Sequence, residues 1–235
     1  MASREGTGGM AARKRARGER AGLTRERVLD AALELVDRDG VEGLTMRRLG
    51  ALLGVEAMTL YHYVPHKDAL LDGVVERVFA PALPAVDGDT DWRTYLTGYA
   101  HALRAALAHH PGALPLAATR RAVTDATLDA VERGLSVLTA ASFPLGRALD
   151  LLNTLSLLVI AHTAAEARHA AAAGEAEPRG AAPWIAAHDP VRYPLLTRAA
   201  ATGEGTDDEA RFRLAVASLL AGFAATLHED GTGRG

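Results

Sequence analysis

The sequence predicts an all-α protein, and three observations support this fold class. Hydrophobic residues make up 49% of the 235 residues but aromatic residues only 5%, so the core consists mainly of Ala, Leu and Val. Ala and Leu lose little side-chain freedom in a helix. Apolar residues recur at helical spacing, and no segment alternates apolar and polar residues over the length of a strand. Gly and Pro residues separate the apolar segments from one another.

The first predicted elements are an arm and a helix. Residues 1–20 are rich in Gly, Arg and Ala and have no apolar periodicity, which predicts a disordered basic arm. Thr24 is a candidate N-cap for the first helix, because its side chain can accept a hydrogen bond from the first turn. Apolar residues follow at helical spacing from Val28, and we expect Gly40 to end the helix in a left-handed conformation.

Two short helices follow. We expect the second helix to begin after Thr45 and to end at Gly54. Its predicted inward-facing residues are Leu49, Leu52 and Leu53. A third helix is predicted from Ala57 to Tyr63, and Pro65 ends it because proline disfavours helical geometry in the residue before it. Two short helices joined by a tight turn that contains Gly are typical of a helix-turn-helix.

A fourth helix follows Pro65, with an apolar face that ends at Val78. Pro81 and Pro84 then indicate a domain boundary near Ala80. The predicted architecture is a three-helix helix-turn-helix domain with a connecting helix, followed by a larger helical domain for ligand binding and dimerisation. The predicted divisions are the basic arm at 1–20, the helix-turn-helix domain at 21–80 and the larger domain at 81–235.

The sequence of the larger region also predicts helices throughout. Pro and Gly residues separate them, and a loop at 174–190 precedes the last two helices. We expect Trp184 and Ile185 to hold the middle of that loop. The predicted helices span about 91–109, 113–120, 125–141, 145–173, 191–201 and 207–228.

Charge and composition exclude several classes of protein. The net charge is −3, but residues 1–25 carry seven basic and two acidic side chains, so the remainder has a net charge of −8. Such an acidic remainder argues against a structural protein that coats DNA without sequence preference. The absence of cysteine excludes disulfides, zinc fingers and thiolate chemistry. We find no nucleophile elbow, phosphate loop or paired catalytic carboxylates, so we expect no enzymatic activity and no cofactor.

The sequence also predicts a cytoplasmic location. Its N-terminus lacks the apolar segment of a signal peptide. The most apolar stretch, 149–165, contains polar residues that favour a buried helix of a soluble protein over a membrane span. These residues are Asp150, Asn153, Ser156 and His162.

The segment from Leu44 to Leu71 resembles the DNA-binding domain of the tetracycline-repressor (TetR) family. The similarity covers about Leu23 to Val78. It consists of Leu-Thr before the second helix, Leu-Gly-Val at the turn, Leu-Tyr in the third helix, and Lys-Asp-Ala-Leu-Leu after it. One departure from the family pattern is His66, which stands where Ser or Asn usually caps the next helix and predicts a weaker cap.

Helix geometry and the resemblance together predict the DNA contacts. Leu60 faces inward, so its neighbours in the third helix face the major groove. Met58 is predicted to contact a thymine methyl group, although a position at the edge of the core would also explain it. By the resemblance, Tyr61 and Lys67 contact phosphates. The full predicted DNA-binding set is Thr45, Arg47, Arg48, Ala57, Met58, Thr59, Tyr61, His62, Tyr63 and Lys67.

Two basic features near this segment leave alternatives open. Thr45 and Arg47 lie at the start of the second helix, where hydroxyl and amide groups can bind a backbone phosphate. Arg48 either does the same or is simply solvated. The basic cluster Arg13–Arg17 either enters a minor groove or is a solvated tail, and we favour the tail. Either form of the arm raises the salt dependence of DNA binding.

The resemblance extends to the C-terminal domain of the tetracycline-repressor subgroup and implies a homodimer and an effector tunnel. The implied dimer contacts lie at about 145–173 and 207–228. An apolar stripe in the last helix supports them, although packing inside one subunit is the alternative. The stripe consists of Phe212, Val216, Leu219, Leu220, Phe223 and Leu227. Small residues among them, including Gly222, favour a close contact with another helix.

The implied effector-binding residues are Trp92, Tyr99, His101, Leu116, Thr119, Arg120, Asn153, Leu157 and His162. Leu116 stands where the resembled family has a His linked to a metal, so we expect an apolar effector other than tetracycline. His162, Glu166 and His169 share one helix face, but we favour a polar lining or an exposed face near the helix end over a metal site there.

The sequence therefore predicts a DNA-binding transcriptional regulator. The first hypothesis is a homodimeric repressor that binds a palindromic operator and is released by a small molecule. The second hypothesis is a helical enzyme or small-molecule carrier that retains the helix-turn-helix as a relic, and the missing catalytic motifs argue against it.

Overall fold

The computed structural model describes residues 22–82, 84, 91–120, 123–172, 189–203 and 207–232. Within these ranges the chain forms helices and turns and no strand, so the all-α prediction is confirmed. The helices are α1 (Arg25–Gly43), α2 (Met46–Leu53), α3 (Ala57–Leu60), α4 (Lys67–Phe79), α5 (Trp92–His109), α6 (Leu114–Thr119), α7 (Asp125–Ala140), α8 (Leu145–Ala172), α9 (Pro194–Thr202) and α10 (Asp208–Thr232). Two 3₁₀ turns lie at Ala80–Ala82 and Pro111–Ala113.

Some predictions fall outside the described ranges. These are the basic arm at 1–20 with its Arg13–Arg17 cluster, and Trp184 and Ile185 of the 174–190 loop.

Local capping sets the ends of α1 and α2. The Thr24 hydroxyl accepts a hydrogen bond from the Arg27 N–H at 3.2 Å, as predicted. The Thr45 hydroxyl accepts one from the Arg48 N–H at the same distance. Gly40 has φ 72° and ψ 173° and interrupts α1, which resumes for one short turn up to Gly43. Gly54 ends α2 in the left-handed conformation with φ 69°.

Two details of the helix-turn-helix differ from prediction. Leu49 and Leu60 are fully buried, but Leu52 is 40% exposed and does not belong to the inward face. Leu52 lies three residues from Leu49, and in a helix of only eight residues the narrow contact face excludes it. The third helix spans Ala57–Leu60 and continues as turns, because the Tyr63 N–H donates to the Leu60 carbonyl oxygen three residues back.

The remaining helices pack around α5 and α8. Leu96 and Leu103 of α5 are fully buried, as are Leu155 and Val159 of α8. Residues of α6, α7 and α10 complete the same apolar core, which is continuous with the core of α1 and α4. None of the residues of α9 is buried. Helices α8 and α10 are long and apolar enough to cross a membrane, but core helices of soluble proteins pass the same test.

Several contacts join the first four helices to the rest of the chain. The 3₁₀ turn at Pro111–Ala113 packs against α1. Arg120, at the end of α6, pairs with Asp72 of α4 at 2.8 Å. Helix α4 also packs against α5, α6 and α7. These contacts position the helix-turn-helix relative to the larger helical region.

Within the first four helices, Arg25 of α1 forms a two-pronged ion pair with Glu76 of α4, with distances of 2.9 and 2.8 Å.

Candidate functional site

The outer face of α3 carries exposed side chains on a short, firmly seated helix. Leu60 is fully buried and anchors α3 against the core. Met58 is 71% exposed and Tyr61 is 42% exposed, and His62 beside them is also exposed. An exposed Met on a helix that is buried on its opposite side is not an edge-of-core residue. The face therefore presents both apolar and polar groups to solvent.

The other predicted residues of α3 and its extension are half-buried. Ala57 and Thr59 flank Met58 on the helix. Tyr63 packs partly against the core. These three residues are therefore less accessible than Met58, Tyr61 and His62.

The start of α4 lies directly after this face. His66 caps the helix, since its Nδ1 atom accepts a hydrogen bond from the Ala69 N–H at 3.0 Å. An imidazole thus replaces the hydroxyl or amide that the family pattern led us to expect. Lys67, the first residue of the helix, is exposed. Its ammonium group is available for a phosphate beside the α3 face.

The residues at the start of α2 are exposed but not equally free. Thr45 caps the helix through its oxygen and can still donate its hydroxyl hydrogen. Arg48 donates to Asp39 at 2.5 Å and to the Gly43 carbonyl oxygen at 3.1 Å. Arg38 also donates to Asp39, and this bond lowers the pKa of that carboxyl group. Arg48 must therefore leave an ion pair to bind a phosphate, whereas the exposed Arg47 makes no ion pair with the described residues.

Five of the predicted effector residues lie inside the helical bundle. Trp92 is buried and packs edge-on against Phe143, with ring centroids 4.9 Å apart. Tyr99 is buried and its hydroxyl lies 3.0 Å from the Ser156 hydroxyl. Leu116 is also buried. The other two, His101 and His162, both contact the Phe212 ring.

His101 and His162 both pack edge-on against the Phe212 ring, with centroid distances of 5.2 and 5.1 Å. Both ring nitrogens of His162 are buried and make no hydrogen bond, although Nδ1 is 3.6 Å from a Glu166 oxygen. Arg104 donates two hydrogen bonds to the Glu166 carboxylate, at 3.1 and 2.7 Å. Arg104 also binds Glu209.

This network argues against the metal alternative at His162, Glu166 and His169. Burial raises the pKa of Glu166, but the hydrogen bonds from Arg104 outweigh it and the net shift is downward. The carboxylate is therefore ionised but already neutralised by a guanidinium. No group of metal-binding side chains is found among the described residues.

The sequence did not reveal Tyr95, which the structure places within this interior. Its side chain is buried, and its hydroxyl has no hydrogen-bond partner. Burial raises the pKa of the Tyr95 hydroxyl and also that of the Tyr99 hydroxyl. The spacing of the two residues, four apart on α5, is the pattern that could have found Tyr95, since it places both on one helix face. A buried hydroxyl without a partner is expected to meet a water or a ligand.

The other four predicted effector residues lie elsewhere. Thr119 is exposed, and Arg120 is committed to Asp72 and Asp68 of α4. Asn153 and Leu157 lie one turn apart on the outer side of α8, and Leu157 is 62% exposed. The structure therefore does not bring these four residues together with Trp92, Tyr99 and Leu116.

A surface groove of about 680 Å³ lies beside α1. Its lining residues are Asp30, Leu33, Glu34, Asp37, Arg38, Arg77, Pro81 and His110. None of these residues was predicted to bind an effector. Two side-chain contacts join residues of this lining, an ion pair of Arg77 with Asp30 and a hydrogen bond between His110 and Asp37, both at 2.6 Å.

The outer sides of α8 and α10 form an exposed, largely apolar surface. On α8, residues four apart share this side: Leu145, Leu149, Asn153, Leu157 and Ala161. On α10, the exposed residues include Leu214, Ser218, Gly222 and Ala225. The predicted stripe of α10 faces the other way, because Phe212, Val216 and Leu220 are buried within the chain. We call this surface of α8 and α10 the outer helix surface.

Two family descriptions match the chain. Residues 28–74 match "Bacterial regulatory proteins, tetR family", and residues 83–227 match "Tetracyclin repressor-like, C-terminal domain". The chain belongs to the TetR family. The second match covers more than half of the chain and confirms the resemblance to the tetracycline-repressor subgroup.

Three curated relatives of this TetR-family chain are transcriptional regulators. An HTH-type transcriptional regulator of Saccharopolyspora erythraea is 35% identical, over 87% of this chain and 86% of the relative. The tetracycline repressor protein class D of Escherichia coli is 34% identical, over 87% and 91%. The repressor DrrR1 of Streptomyces coeruleorubidus is 39% identical, but the match spans 54% of this chain and about half (47%) of that relative.

Solved structures have the same fold. A possible TetR-family transcriptional regulator from Streptomyces coelicolor A3(2) is 32% identical, with a TM-score of 0.67 over 86% of this chain and 99% of that chain. Apo ActR from Streptomyces coelicolor has a TM-score of 0.74 at 23% identity, over 88% and 98%. The family and these relatives are DNA-binding transcriptional regulators rather than enzymes, as predicted.

Proposed function

We propose that this TetR-family regulator is a homodimeric repressor that binds an inverted-repeat operator and is released by a small apolar effector. The observation that carries the proposal is the α3 face, where Met58 and Tyr61 project from a helix whose other side is anchored by Leu60. Such a helix enters the major groove with its exposed residues on the base edges. The same observation leaves the relic hypothesis without support, since a relic needs no presented reading face.

The proposed DNA contacts divide into two kinds. Met58, with Thr59 and His62 beside it, reads bases, because apolar contact with a thymine methyl distinguishes A·T pairs. Tyr61 and Lys67 bind phosphates and fix the register, since such contacts carry no sequence information. Thr45 and Arg47 add phosphate contacts at the start of α2. The proposed DNA contacts also include Arg48, Ala57 and Tyr63, which we assign to neither kind.

The proposed dimer uses the outer helix surface. Leu157 and Leu214 are 62% and 68% exposed in a single chain, and leucines of this kind on adjoining helices form an apolar patch that a second copy would cover. A Cβ atom built at Gly222 has nothing within 4 Å, so a neighbouring helix has room to approach α10 closely. Two copies related by a two-fold axis match the symmetry of an inverted repeat.

The proposed effector site lies in the bundle interior around Trp92, Tyr95, Tyr99 and Leu116. Aromatic side chains with two hydroxyl groups suit a largely apolar ligand with a few hydrogen-bonding groups. Solved structures describe ActR in complex with actinorhodin and with (S)-DNPA. Leu116 offers no metal ligand, which supports an effector bound without a metal. As a soluble DNA-binding regulator, the protein would act in the cytoplasm.

Selection of DNA from a random duplex library tests the proposed function. Wild-type protein should enrich one inverted repeat, and the purified complex should contain two protein chains per duplex by analytical ultracentrifugation. The triple variant Met58→Ala, Tyr61→Ala, Lys67→Ala should fold normally by circular dichroism and enrich no sequence. Enrichment of a single unrepeated site would overturn the dimeric operator, and absence of any enrichment by wild type would overturn the repressor itself.

Effector release is tested separately. Mass spectrometry of small molecules that co-purify with the protein supplies candidates, and each is added to the complex of protein and selected DNA. A true effector should dissociate the complex from wild type, and Tyr95→Phe should weaken this response because the ligand loses a hydrogen-bond partner. A Tyr95→Phe variant with an unchanged response would show that the interior hydroxyl is not part of the site.

A further inference from the structure

A glycine allows the backbones of the helix-turn-helix region and the larger helical region to approach each other closely. Gly112 lies in the 3₁₀ turn between α5 and α6, and the turn rests on the backbone of α1. A Cβ atom at this position would lie 2.7 Å from the carbonyl carbon of Val36 and 2.8 Å from the Cα atom of Asp37, and closer still to the Val36 oxygen. Backbone atoms cannot rotate away as a side chain can, so only Gly fits.

A side-chain contact fixes the same point. His110, which precedes the turn, places its Nδ1 atom 2.6 Å from an Asp37 oxygen. Both side chains are only about one quarter exposed. The His110 carbonyl oxygen accepts the Ala113 N–H at 3.0 Å, which closes the turn on itself. The turn is therefore a rigid body held to α1 by backbone packing and by one hydrogen bond.

This contact lies near the end of α1 that leads into the helix-turn-helix. Val36 is buried and lies one turn before Gly40, where α1 breaks. The chain then passes directly into α2 and α3, which carry the reading face. The regions are also joined by Arg120, which pairs with Asp68 and Asp72 of α4, and by the packing of α4 against α5, α6 and α7. The turn is the part of the larger region that packs against α1, so a displacement of the turn against Val36 moves the end of α1 from which the chain continues into α2 and α3.

We propose that Gly112 and the His110–Asp37 pair form a fixed pivot that sets the angle of each reading head, and hence the operator spacing that the dimer accepts. These are positioning residues, since none of them touches DNA. The inference rests on the proposed function, because it needs two heads on one inverted repeat. Half-site spacing is a geometric property of the two heads, with about 3.4 Å for each base pair, so a tilt at the pivot changes it.

Gly112→Ala tests the pivot, with Gly98→Ala as the matched control. Gly98 is an exposed residue of α5, and a Cβ atom built there makes only an ordinary contact, 3.6 Å from the Pro84 side chain. Binding is measured on the inverted repeat selected by wild type and on versions whose central spacer is one base pair shorter or longer. Gly112→Ala should lose about tenfold in affinity for the selected spacing and should prefer an altered spacing. Gly98→Ala should keep the wild-type preference.

The spacing preference distinguishes a pivot from ordinary loss of stability. An equal loss on all three spacers, or no loss, would overturn the proposal. If Gly112→Ala does not fold, Asp37→Asn decides, since it keeps the shape of the side chain and removes the charge that faces His110. A broadened or shifted spacing preference for Asp37→Asn supports the pivot, and an unchanged preference overturns it. Failure of wild type to select an inverted repeat instead counts against the proposed function.

Discussion

The reading face and the proposed effector interior are assembled over very different distances along the chain. The reading face comes from Thr45 to Lys67, a stretch shaped by caps and turns whose hydrogen bonds join residues no more than five apart. The effector interior joins α5, α6 and α8, and its contacts link residues such as Tyr99 and Ser156, 57 positions apart. Local chemistry determines the first site, whereas packing determines the second. We therefore expect changes to long-range contacts to have larger effects than changes to local ones.

The largest effect is expected from Leu157→Glu on the outer helix surface. A carboxylate in an apolar dimer interface would be buried without a partner, so the dimer should dissociate. Loss of the second head should then lower affinity for the inverted repeat about 100-fold. Sedimentation and DNA titration measure the two effects. Leu128→Glu, which places the same charge on the exposed part of α7, is the control and should remain dimeric. Equal behaviour of both variants would contradict the proposed interface.

The next largest effect is expected from Glu76→Gln, because this change breaks the long-range ion pair with Arg25 inside the helix-turn-helix domain. The hydrogen bonds from Arg25 lower the pKa of Glu76, outweighing its burial. Loss of the charge should lower the free energy of unfolding at neutral pH by about 2 kcal/mol, measured by urea denaturation.

The pH dependence of this variant has a definite sign. A carboxyl group whose folded pKa lies below its ordinary value of 4.5 stabilises the fold above that pH. The contribution disappears as the pH falls through the lowered pKa. The stability difference between wild type and Glu76→Gln should therefore be full at pH 7 and shrink at acidic pH. A difference that is the same at both pH values would mean that the ion pair is not its source.

Lys67→Ala should have a smaller effect that is uniform across sequences. The variant loses one phosphate contact, so the slope of log affinity against log salt should fall by about one unit. Fluorescence anisotropy on the selected operator and on unrelated duplexes measures it. A sequence-dependent loss would contradict a phosphate role.

Met58→Ala is the contrast to Lys67→Ala on the same face. It should leave the salt slope unchanged and reduce discrimination at one base pair by about fivefold, since only an apolar base contact is lost. If it weakens all sequences equally, Met58 does not read bases.

The same difference in length scale explains what the sequence could predict. The caps at Thr24 and Thr45 and the burial of Leu60 followed from neighbours in the sequence and were confirmed. The prediction that Leu52 faces inward was wrong, because periodicity cannot say how wide the contact face of a short helix is.

In the larger region, residue types indicated candidates but not their neighbours. Arg120 was assigned to the effector because of its place in the family pattern, yet its charge is neutralised by Asp68 and Asp72, about 50 positions earlier. Tyr95 was missed because its importance lies in a hydroxyl that packing left without a partner. Such features arise from the tertiary arrangement, which no local pattern encodes.

The smallest effect is expected at a local contact where sequence and structure disagree about strength. The family pattern predicts a weak cap at His66, but its Nδ1 atom accepts the Ala69 N–H at 3.0 Å. Removing an N-cap acceptor lowers stability by about 1 kcal/mol, so His66→Ala should lose that amount in urea denaturation. His66→Ser, which restores an acceptor at the same place, should remain close to wild type. If His66→Ala is as stable as wild type, the imidazole does not cap α4, and the weaker cap predicted from the sequence is the correct description.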